Sequence, residues 1–484
     1  MKIQSVEITN YKAFLGTYKL KIGRKNLFIY GENGSGKSSF YYALKDFFQS
    51  SVENVDFSVL ENIFIKETAQ GSGKVKVTLK PDGGRPGDEK LYHASTAGHD
   101  HGAVADTLIR DANKLKSFLT YKHLLVIHHL KKGDMINLFD LLVNGVLRHF
   151  KYALTNGKEL GKLWAELNEE IAKTTGRTYP ITKKRIAVNS ALKEFNDAFG
   201  ELFKPGSPEY ILRHANPILA AFEHNLEIKL TYPQVRPSED YLSLENVRVN
   251  ISVKYAGKEI VDPHLFLNEA RLSAIAISIY LGMIKRHPQG IEHKILFLDD
   301  VFIGLDIANR LPLLKILDEH FSEYQIFITT YDKPWFEYAK TYLEQKSGWK
   351  TMEFYAQPTN KGYEIPCIID DKDLLAKAEN HLEQCDYKSA AVYTRSAFEQ
   401  VIRNYCDKKR KLVKFHTKQK KYSSQDFWNA IMGDLDAPLI TDVEKYRDLV
   451  LNTFSHYNTE KHEIRTELAA AIQTIKTLKT DLAN

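Results

Sequence analysis

The amino-acid sequence predicts an α/β fold followed by an all-α region, and three observations carry this prediction. The apolar run Asn26–Tyr30 leads straight into a Gly-rich loop and then a helical pattern. A second apolar run, Ile295–Leu298, ends in two aspartates, which is typical of a strand buried in a parallel sheet. After Pro366 the apolar residues recur at helical spacing to the end.

Length, charge and cysteine content restrict the class of protein. At roughly 100–200 residues per domain, 484 residues predict two to four domains. The 67 basic and 61 acidic residues leave a net charge of +6, which permits a nucleic-acid partner without implying one. Three cysteines at unrelated spacings favour a reducing, cytoplasmic location. We expect no signal peptide and no membrane span, because no apolar run of about 18 residues occurs.

The remaining elements follow from apolar periodicity and turn residues. KIQSVEITNY alternates as a half-buried strand does, and the Gly-, Asp- and His-rich stretch 70–105 predicts hairpins and loops. Residues 105–225 are helical in pattern, with GRTYPITKK as the turn between two long helices. Strands are then predicted at LEIKLTY and VRVNISVKY, a helix at RLSAIAISIYLGMI and a strand at ILFLDD.

Four segments result from this pattern. They are an N-terminal lobe (1–135), a helical hairpin or short coiled-coil insertion (136–228), a C-terminal lobe (229–365) and a helical C-terminal domain (366–484). The insertion is short, since a helix over residues 140–175 would span only about 50 Å at 1.5 Å per residue.

The loop between the first buried strand and its helix matches G-x-x-x-x-G-K-[ST], from Gly31 to Ser38. Glycines let backbone N–H groups turn toward phosphates, and the helix N-terminus adds positive potential. Lys37 is predicted to reach the β- and γ-phosphates, and Ser38 to bind Mg²⁺. The expected nucleotide-binding residues here are Gly31, Asn33, Gly34, Gly36, Lys37, Ser38 and Ser39. The alternative is a Gly/Ser surface loop ahead of a helix.

Such a loop needs a carboxylate at the end of a neighbouring strand to hold the metal. Asp299 and Asp300 emerge from Ile295–Leu298 at the carboxyl end, where ligands of open α/β sheets bind. Asp299 is the predicted Mg²⁺ ligand with Ser38, and Asp300 is placed to polarise an attacking water. The expected cofactors are therefore ATP and Mg²⁺.

Asp299 follows Lys37 by 262 positions, with helical sequence between them. This wide separation resembles the RecF/SMC-like branch of ABC-type ATPases, whose head is split by an inserted helical hairpin. The resemblance implies an ABC-type P-loop ATPase head split by a short helical hairpin insertion, followed by an all-α C-terminal domain.

Further stretches support the resemblance. Phe266–Ala274 resembles the signature segment, in which Asn268, Glu269, Arg271 and Ser273 would meet the ATP of a partner subunit. Val301–Asp306 resembles the D-loop, which adds Asp306 to the nucleotide-binding residues. Gln325–Asp332 occupies the place of the switch strand, which makes Tyr331 a candidate catalytic residue. Asn10–Phe14 occupies the place of the loop beside the nucleotide base, which adds Lys12 to the candidate nucleotide-binding residues.

Two departures from the family pattern predict slow hydrolysis. Asp300 stands where ABC proteins usually carry Glu, so a shorter side chain must hold the water. Tyr331 stands where the switch His would be, and a phenol cannot relay a proton near pH 7 as imidazole can. Slow hydrolysis is typical of an ATPase that acts as a switch and not of one that acts as a motor.

The compact layout resembles ATPases of anti-phage defence systems, with the ATPase subunit of PARIS nearest and the Septu and retron-associated ATPases next. This implies a homo-oligomer of ATP-sandwiched heads that senses phage components and controls a separate, nuclease-like toxic effector. The alternatives are a RecF-like repair or recombination ATPase acting directly on DNA, and a self-contained toxin whose C-terminal helices cut RNA.

The C-terminal region adds two features. Basic residues cluster at Lys408–Lys411, Lys414, Lys418, Lys420 and Lys421, with Phe415 and Tyr422 among them. They could bind DNA or an acidic DNA-mimicking protein, or form a solvated loop.

The segment Tyr446–His456 is similar to HEPN-like helical domains, but eight residues separate Arg447 from His456, more than in HEPN ribonucleases. A helical scaffold is therefore favoured over a nuclease.

Overall fold

The structure is a computed structural model that describes residues 1–85, 87–100, 106–120, 137–151, 157–286, 291–346, 348–370, 374–414, 416, 422–447 and 465–482. The chain divides into two compact units, Met1–Ile369 and Asp370–Asn484. Within the part of the chain that the structure describes, no helix combines the length and apolar character that a membrane span needs.

The described strands lie in the first unit. They are β1 (Lys2–Tyr11), β2 (Phe14–Lys21), β3 (Asn26–Gly31), β4 (Lys74–Lys80), β5 (Lys90–Ser95), β6 (Gly98–His99), β7 (Phe118–Thr120), β8 (Leu226–Thr231), β9 (Arg236–Pro237), β10 (Leu244–Glu245), β11 (Asn250–Tyr255), β12 (Lys258–Ile260), β13 (Ile295–Asp299), β14 (Gln325–Thr330), β15 (Trp349–Pro358) and β16 (Glu364–Ile369).

The helices of the first unit are α1 (Lys37–Gln49), α2 (Leu108–Lys114), α3 (Leu160–Ala172), α4 (Ile181–Glu201), α5 (Leu212–Ala220), α6 (Pro263–Phe266), α7 (Glu269–Lys285), α8 (Ile307–His320) and α9 (Lys333–Glu344). Those of the second unit are α10 (Leu374–Glu383), α11 (Tyr387–Lys408), α12 (Ser424–Ile431), α13 (Ala437–Tyr446) and α14 (Arg465–Asp481). The fold class predicted from the sequence is confirmed.

The central sheet has the strand order β16-β15-β3-β14-β13-β7. Strands β15, β3, β14, β13 and β7 run parallel, and β16 pairs antiparallel at the edge. Every residue of β13 and β14 is buried, as expected of parallel strands covered on both faces. Parallel pairing brings the carboxyl ends of β3, β13 and β14 to one edge, where Asp299 lies opposite Thr329 and Thr330 opposite Tyr30.

A second, antiparallel sheet has the order β2-β1-β4-β5-β6. Alternation buries Val6 and Ile8 on one face of β1, and Ile3 is buried beyond a register shift between Ile3 and Ser5. These side chains share one apolar cluster with α1 and with residues of β13 and β14. In that cluster the ring of Phe40 lies 5.7 Å from that of Phe297. Helix α1 is therefore held from both sheets.

The insertion is a helical hairpin shorter than the sequence pattern suggests. Helices α3 and α4 flank residues 173–180 and share an apolar cluster through Leu163, Leu167 and Phe195. The predicted turn GRTYPITKK (176–184) lies only partly between them, because its last four residues already belong to α4. The predicted helix over 140–175 is interrupted. Leu141–Val146 forms a π-helical turn in which Gly145 leaves helical geometry (φ −99°, ψ −111°), and α3 begins only at Leu160. At 1.5 Å per residue, the 13 residues of α3 span about 20 Å.

Helix α7 crosses the insertion at close range through Gly282. A Cβ atom at this position would lie 2.7 Å from the backbone nitrogen of Ala215 in α5, and 2.8 Å from its Cα. Backbone atoms cannot move aside as a side chain can, so the two helices would have to separate.

Gly282→Ala is therefore expected to lower the free energy of unfolding by about 1–3 kcal/mol, the usual cost of overpacking. Gly200→Ala is the matched control, because it too is helical but has no atom within 4 Å of the added Cβ. The control is expected to be neutral or to stabilise by up to about 1 kcal/mol. Denaturant unfolding of both variants measures the difference, and equal effects would contradict the packing described.

The described part of the second unit is helical and has its own core, in which Phe398 of α11 packs against Trp428 of α12 at 5.7 Å between rings. Ser423 and Asp426 form a capping box at the start of α12. The helical pattern predicted from Pro366 onward begins later than expected. Strand β16 runs to Ile369, and the first described helix starts at Leu374.

Candidate nucleotide-binding site

The loop from Gly31 to Ser38 joins β3 to α1 at the carboxyl edge of the central sheet. Gly34 and Gly36 have left-handed backbone angles, φ 82° and 95°, which glycine adopts without strain. A Cβ atom on Gly31 would lie 2.5 Å from Ser35 Oγ and 2.8 Å from Lys37 Cγ. The glycines are thus required for the loop to close around its own lysine.

Lys37 is only 5% exposed and is enclosed by the loop. Its Nζ donates hydrogen bonds to the carbonyl oxygens of Gly31 (2.6 Å) and Glu32 (3.1 Å). Burial lowers the pKa of this ammonium, while the nearby carboxylates of Asp300 and Asp299 act in the opposite direction. The cation is therefore held between loop carbonyls and two acids, where polyphosphate oxygens could replace its carbonyl partners.

The predicted metal ligands lie side by side. Ser38 Oγ donates to Asp299 Oδ2 at 3.3 Å, which joins α1 to the end of β13. A hydroxyl and a carboxylate are the hard oxygen donors that Mg²⁺ prefers, so this donor set fits the metal that the sequence predicts.

Thr329 in β14 orients both aspartates and was not singled out from the sequence. Its Oγ1 donates to Asp299 Oδ1 at 2.6 Å and accepts from the backbone N–H of Asp300 at 3.1 Å. The available signal was a polar residue at the end of the otherwise apolar run Ile326–Ile328.

The Asp300 carboxylate has one oxygen that could accept a further hydrogen bond. It adopts a left-handed backbone (φ 52°), and its Oδ1 is buried without a hydrogen-bond partner among the described residues. Burial raises the pKa of Asp300 to about 6; Lys37 opposes this shift, Asp299 adds to it, and the backbone N–H of Tyr331 favours the ionised form. The Tyr331 side chain itself is 45% exposed just beyond β14.

The base-side segment is anchored to α1. Ser39 Oγ accepts from the backbone N–H of Ala13 at 3.3 Å, and Asn62 Nδ2 donates to the Lys12 carbonyl at 2.6 Å. Lys12 Nζ lies 4.4 Å from the centre of the Tyr42 ring. Asn33, at the tip of the loop, is exposed.

The signature segment lies at the N-terminus of α7. Asn268 caps this helix by accepting the Arg271 backbone N–H at 3.0 Å, and both Asn268 and Glu269 are exposed. The Arg271 guanidinium packs 4.5 Å from the Tyr255 ring. Ser273 is fully buried, and a Cβ atom on Gly304 would clash with its hydroxyl, so Ser273 joins α7 to the D-loop rather than facing outward.

Asp306 caps α8 by accepting from the backbone N–H and side-chain amide of Asn309, at 3.0 and 2.7 Å. Arg310 in the same helix pairs with Asp332 at 2.6 Å, which links the D-loop helix to the segment after β14. Across the described ranges, no hydrogen bond or ion pair joins Asp306 or the residues Asn268, Glu269 and Arg271 to the Gly31–Ser38 loop.

Strand β16 contributes two residues that the sequence did not reveal. A Cβ atom on Gly36 would lie 2.7 Å from Pro366 Cγ, and one on Gly34 would lie 3.6 Å from Glu364 Oε2. No local motif marks this contact, because it depends on pairing between distant parts of the chain.

In the second unit, Lys408–Arg410 are exposed and Lys411 pairs with Asp434 at 2.6 Å. Lys414 is exposed too, whereas Phe415, Lys418, Lys420 and Lys421 lie outside the described residues. Arg447 hydrogen-bonds Gln425, and His456 is likewise outside the described residues, so the pair is not placed.

The Gly-rich loop encloses a buried lysine, and a serine and an aspartate lie beside it at the carboxyl edge of a parallel sheet. Together with the inserted helical hairpin, these features define an ABC-type ATPase head. The family described as RecF/RecN/SMC N terminal domain matches residues 2–351. The chain belongs to this family.

Solved structures similar to the chain include SMC heads. The Smc head domain with an extended coiled coil bound to the C-terminal domain of ScpA, from Pyrococcus furiosus, is 15% identical with a TM-score of 0.43, covering 80% of this chain and 99% of that one. The SmcHead bound to the C-winged helix domain of ScpA is 14% identical with a TM-score of 0.43, covering 78% and 100%. The SMC head domain from Thermotoga maritima is 12% identical with a TM-score of 0.37, covering 77% and 100%. No curated protein matches the chain.

Proposed function

We propose that the chain binds ATP with Mg²⁺ and hydrolyses it slowly, as a switch. The observation that carries this proposal is the contact of Ser38 with Asp299 beside the buried Lys37. Ser38 and Asp299 hold Mg²⁺, which when bound offsets the charge of the triphosphate. Lys37 exchanges its loop carbonyls for phosphate oxygens, and the loop N–H groups bind the remainder.

A complete site requires two copies of the chain. Asn268 and Glu269 are exposed at the N-terminus of α7, where the helix dipole favours an anion. Among the described residues, neither is bonded to the loop of its own chain, which supports a contact of Asn268 and the helix N-terminus with the γ-phosphate bound by a second head. The Glu269 carboxylate, itself an anion, does not contact that phosphate directly. ATP hydrolysis then requires homo-oligomerisation, because the second head completes the site. Because Ser273 is buried, Asn268 carries the contact and Ser273 supports α7 from behind.

Asp300 accepts the proton of the attacking water through its unpartnered Oδ1. Its side chain is one methylene shorter than glutamate, and Tyr331 stands where the resemblance places a histidine that relays a proton. Steady-state hydrolysis by the purified chain tests this, with kcat expected below about 1 s⁻¹, the low end for enzymes. Rapid turnover without any partner would contradict the switch.

For the biological role, we propose a cytoplasmic sensor or scaffold of an anti-phage defence complex, like the ATPase subunit of PARIS, that controls a separate toxic effector. The short α3–α4 hairpin and the separate helical unit support this. Co-expression with the neighbouring genes under phage challenge tests it. Stimulation of hydrolysis by DNA without an effector would favour the RecF-like alternative instead.

The exposed basic residues Lys408 and Lys409 are the proposed contact for DNA or an acidic protein. Lys408→Glu combined with Lys409→Glu is expected to abolish binding of the full chain to a DNA duplex, and wild-type affinity is expected to fall steeply with salt. Lys445→Glu combined with Lys479→Glu, also exposed in this unit, is the matched control. Fluorescence anisotropy measures both, and equal binding by both variants would remove the proposal.

A further inference from the structure

A cavity of about 240 Å³ lies at the far end of α1 from the nucleotide loop. We call it the Lys116 cavity; it is lined by residues of α1, of the segment after α2, of the π-helical turn Leu141–Val146 and of α7, among them Lys45, Lys116 and Tyr280. Lys45 follows Lys37 by eight residues, or about 12 Å along the helix axis. The cavity is therefore separate from the site described above.

Positive charge dominates the lining. Among the described residues that line the cavity, three are cationic (Lys45, Lys116 and Arg148) and one, Glu53, is a carboxylate. Both oxygens of Glu53 are already engaged, one by the Gln49 amide at 2.6 Å and one by Arg148 at 3.3 Å. Within the described ranges, no carboxylate lies at ion-pair distance from the ammonium of Lys45 or Lys116.

Two further features of the cavity favour the binding of an anion. Burial lowers the pKa of Lys116; Glu53 opposes this, and Arg148 and Lys45 lower it further. Asn113 also lines the cavity, is only 7% exposed, and its Nδ2 has no hydrogen-bond partner among the described residues. A desolvated cation and an unsatisfied donor are both unfavourable, and one oxyanion accepting from both would relieve them.

We propose that the Lys116 cavity binds a small phosphate-class oxyanion, inorganic phosphate or pyrophosphate, through Lys45, Lys116 and Asn113. The volume of about 240 Å³ accommodates an anion of this size. Tyr280 in α7 donates its hydroxyl to the Lys116 carbonyl at 2.7 Å. The bound anion thus contacts α1, which begins at the nucleotide loop, and the wall formed by α7, which begins at the signature segment.

The test is calorimetric titration of pyrophosphate, and separately of phosphate, into the full chain carrying Lys37→Ala, so that the nucleotide loop does not compete. Binding is expected to persist in this background and to weaken about tenfold or more when Lys116→Met or Lys45→Met is added. Lys193→Met, exposed on α4, is the matched control and should leave the affinity unchanged.

Absence of binding at millimolar anion in the Lys37→Ala chain would overturn the proposal. Equal affinity in all the variants would overturn it too, because the anion would then lie elsewhere. Should Lys116→Met fail to fold by circular dichroism, Lys45→Met decides, since Lys45 is a half-exposed position on α1.

Discussion

Replacing Lys37 by alanine is expected to weaken ATP binding by about 100-fold or more. Its Nζ lies inside the loop, 2.6 Å from the Gly31 carbonyl, and in the proposed complex it is the loop cation that would meet the β- and γ-phosphates. Loss of charge-assisted hydrogen bonds at a buried site costs about 1.5–3 kcal/mol each. Titration with ATP and Mg²⁺ gives the affinity directly.

Lys19→Ala provides the control for Lys37→Ala, because Lys19 is an exposed lysine on β2 of the same unit. It should bind ATP as the native chain does. Thermal unfolding without nucleotide should be similar for both variants. Native affinity in the Lys37→Ala chain would mean that the loop does not bind the triphosphate.

Asp300→Asn is expected to lower kcat by about 100-fold or more while leaving ATP binding intact. An amide cannot accept the water proton, and a positioned general base contributes roughly 10²–10⁴-fold. Asn keeps the size of the side chain, so the left-handed turn at this position is preserved. Because ATP is bound and not consumed, the variant should also accumulate as an ATP-bound dimer.

Asp299→Asn is the comparison variant for Asp300→Asn, because it is expected to affect metal binding instead of activation of the water. Asp299 touches Ser38 and Thr329, so its loss should weaken the Mg²⁺ dependence of binding itself. Single-turnover hydrolysis and light scattering distinguish the two variants. If Asp300→Asn hydrolyses ATP at the native rate, another group activates the water.

The parts of the site predicted from sequence are those encoded by spacing over a few residues. The loop from Gly31 to Ser38 and the apolar run before Asp299 each specify their local structure, and parallel pairing of β3, β14 and β13 brings them together. The proximity of these two distant segments was predicted from the resemblance to ATPase heads that are split by an inserted hairpin. The roles of these residues remain predictions for the experiments above.

The parts that were missed depend on packing between distant segments. Thr329 bridges the two aspartates, and Pro366 packs against Gly36, but neither contact has a local motif. Ser273 has the right spacing for an exposed signature residue, yet helix α7 is covered on nearly all sides and turns it inward. The break at Gly145 shortened a helix that periodicity alone would continue.

Specific hydrolysis measured against protein concentration tests the composite site most directly. If one head supplies Lys37 and Asp299 and the second supplies Asn268, turnover per chain should rise with concentration and level off as ATP-bound dimers saturate. Light scattering on the same samples should follow the same curve. A turnover per chain that is constant over the range where the protein stays monomeric would contradict a site built from two chains.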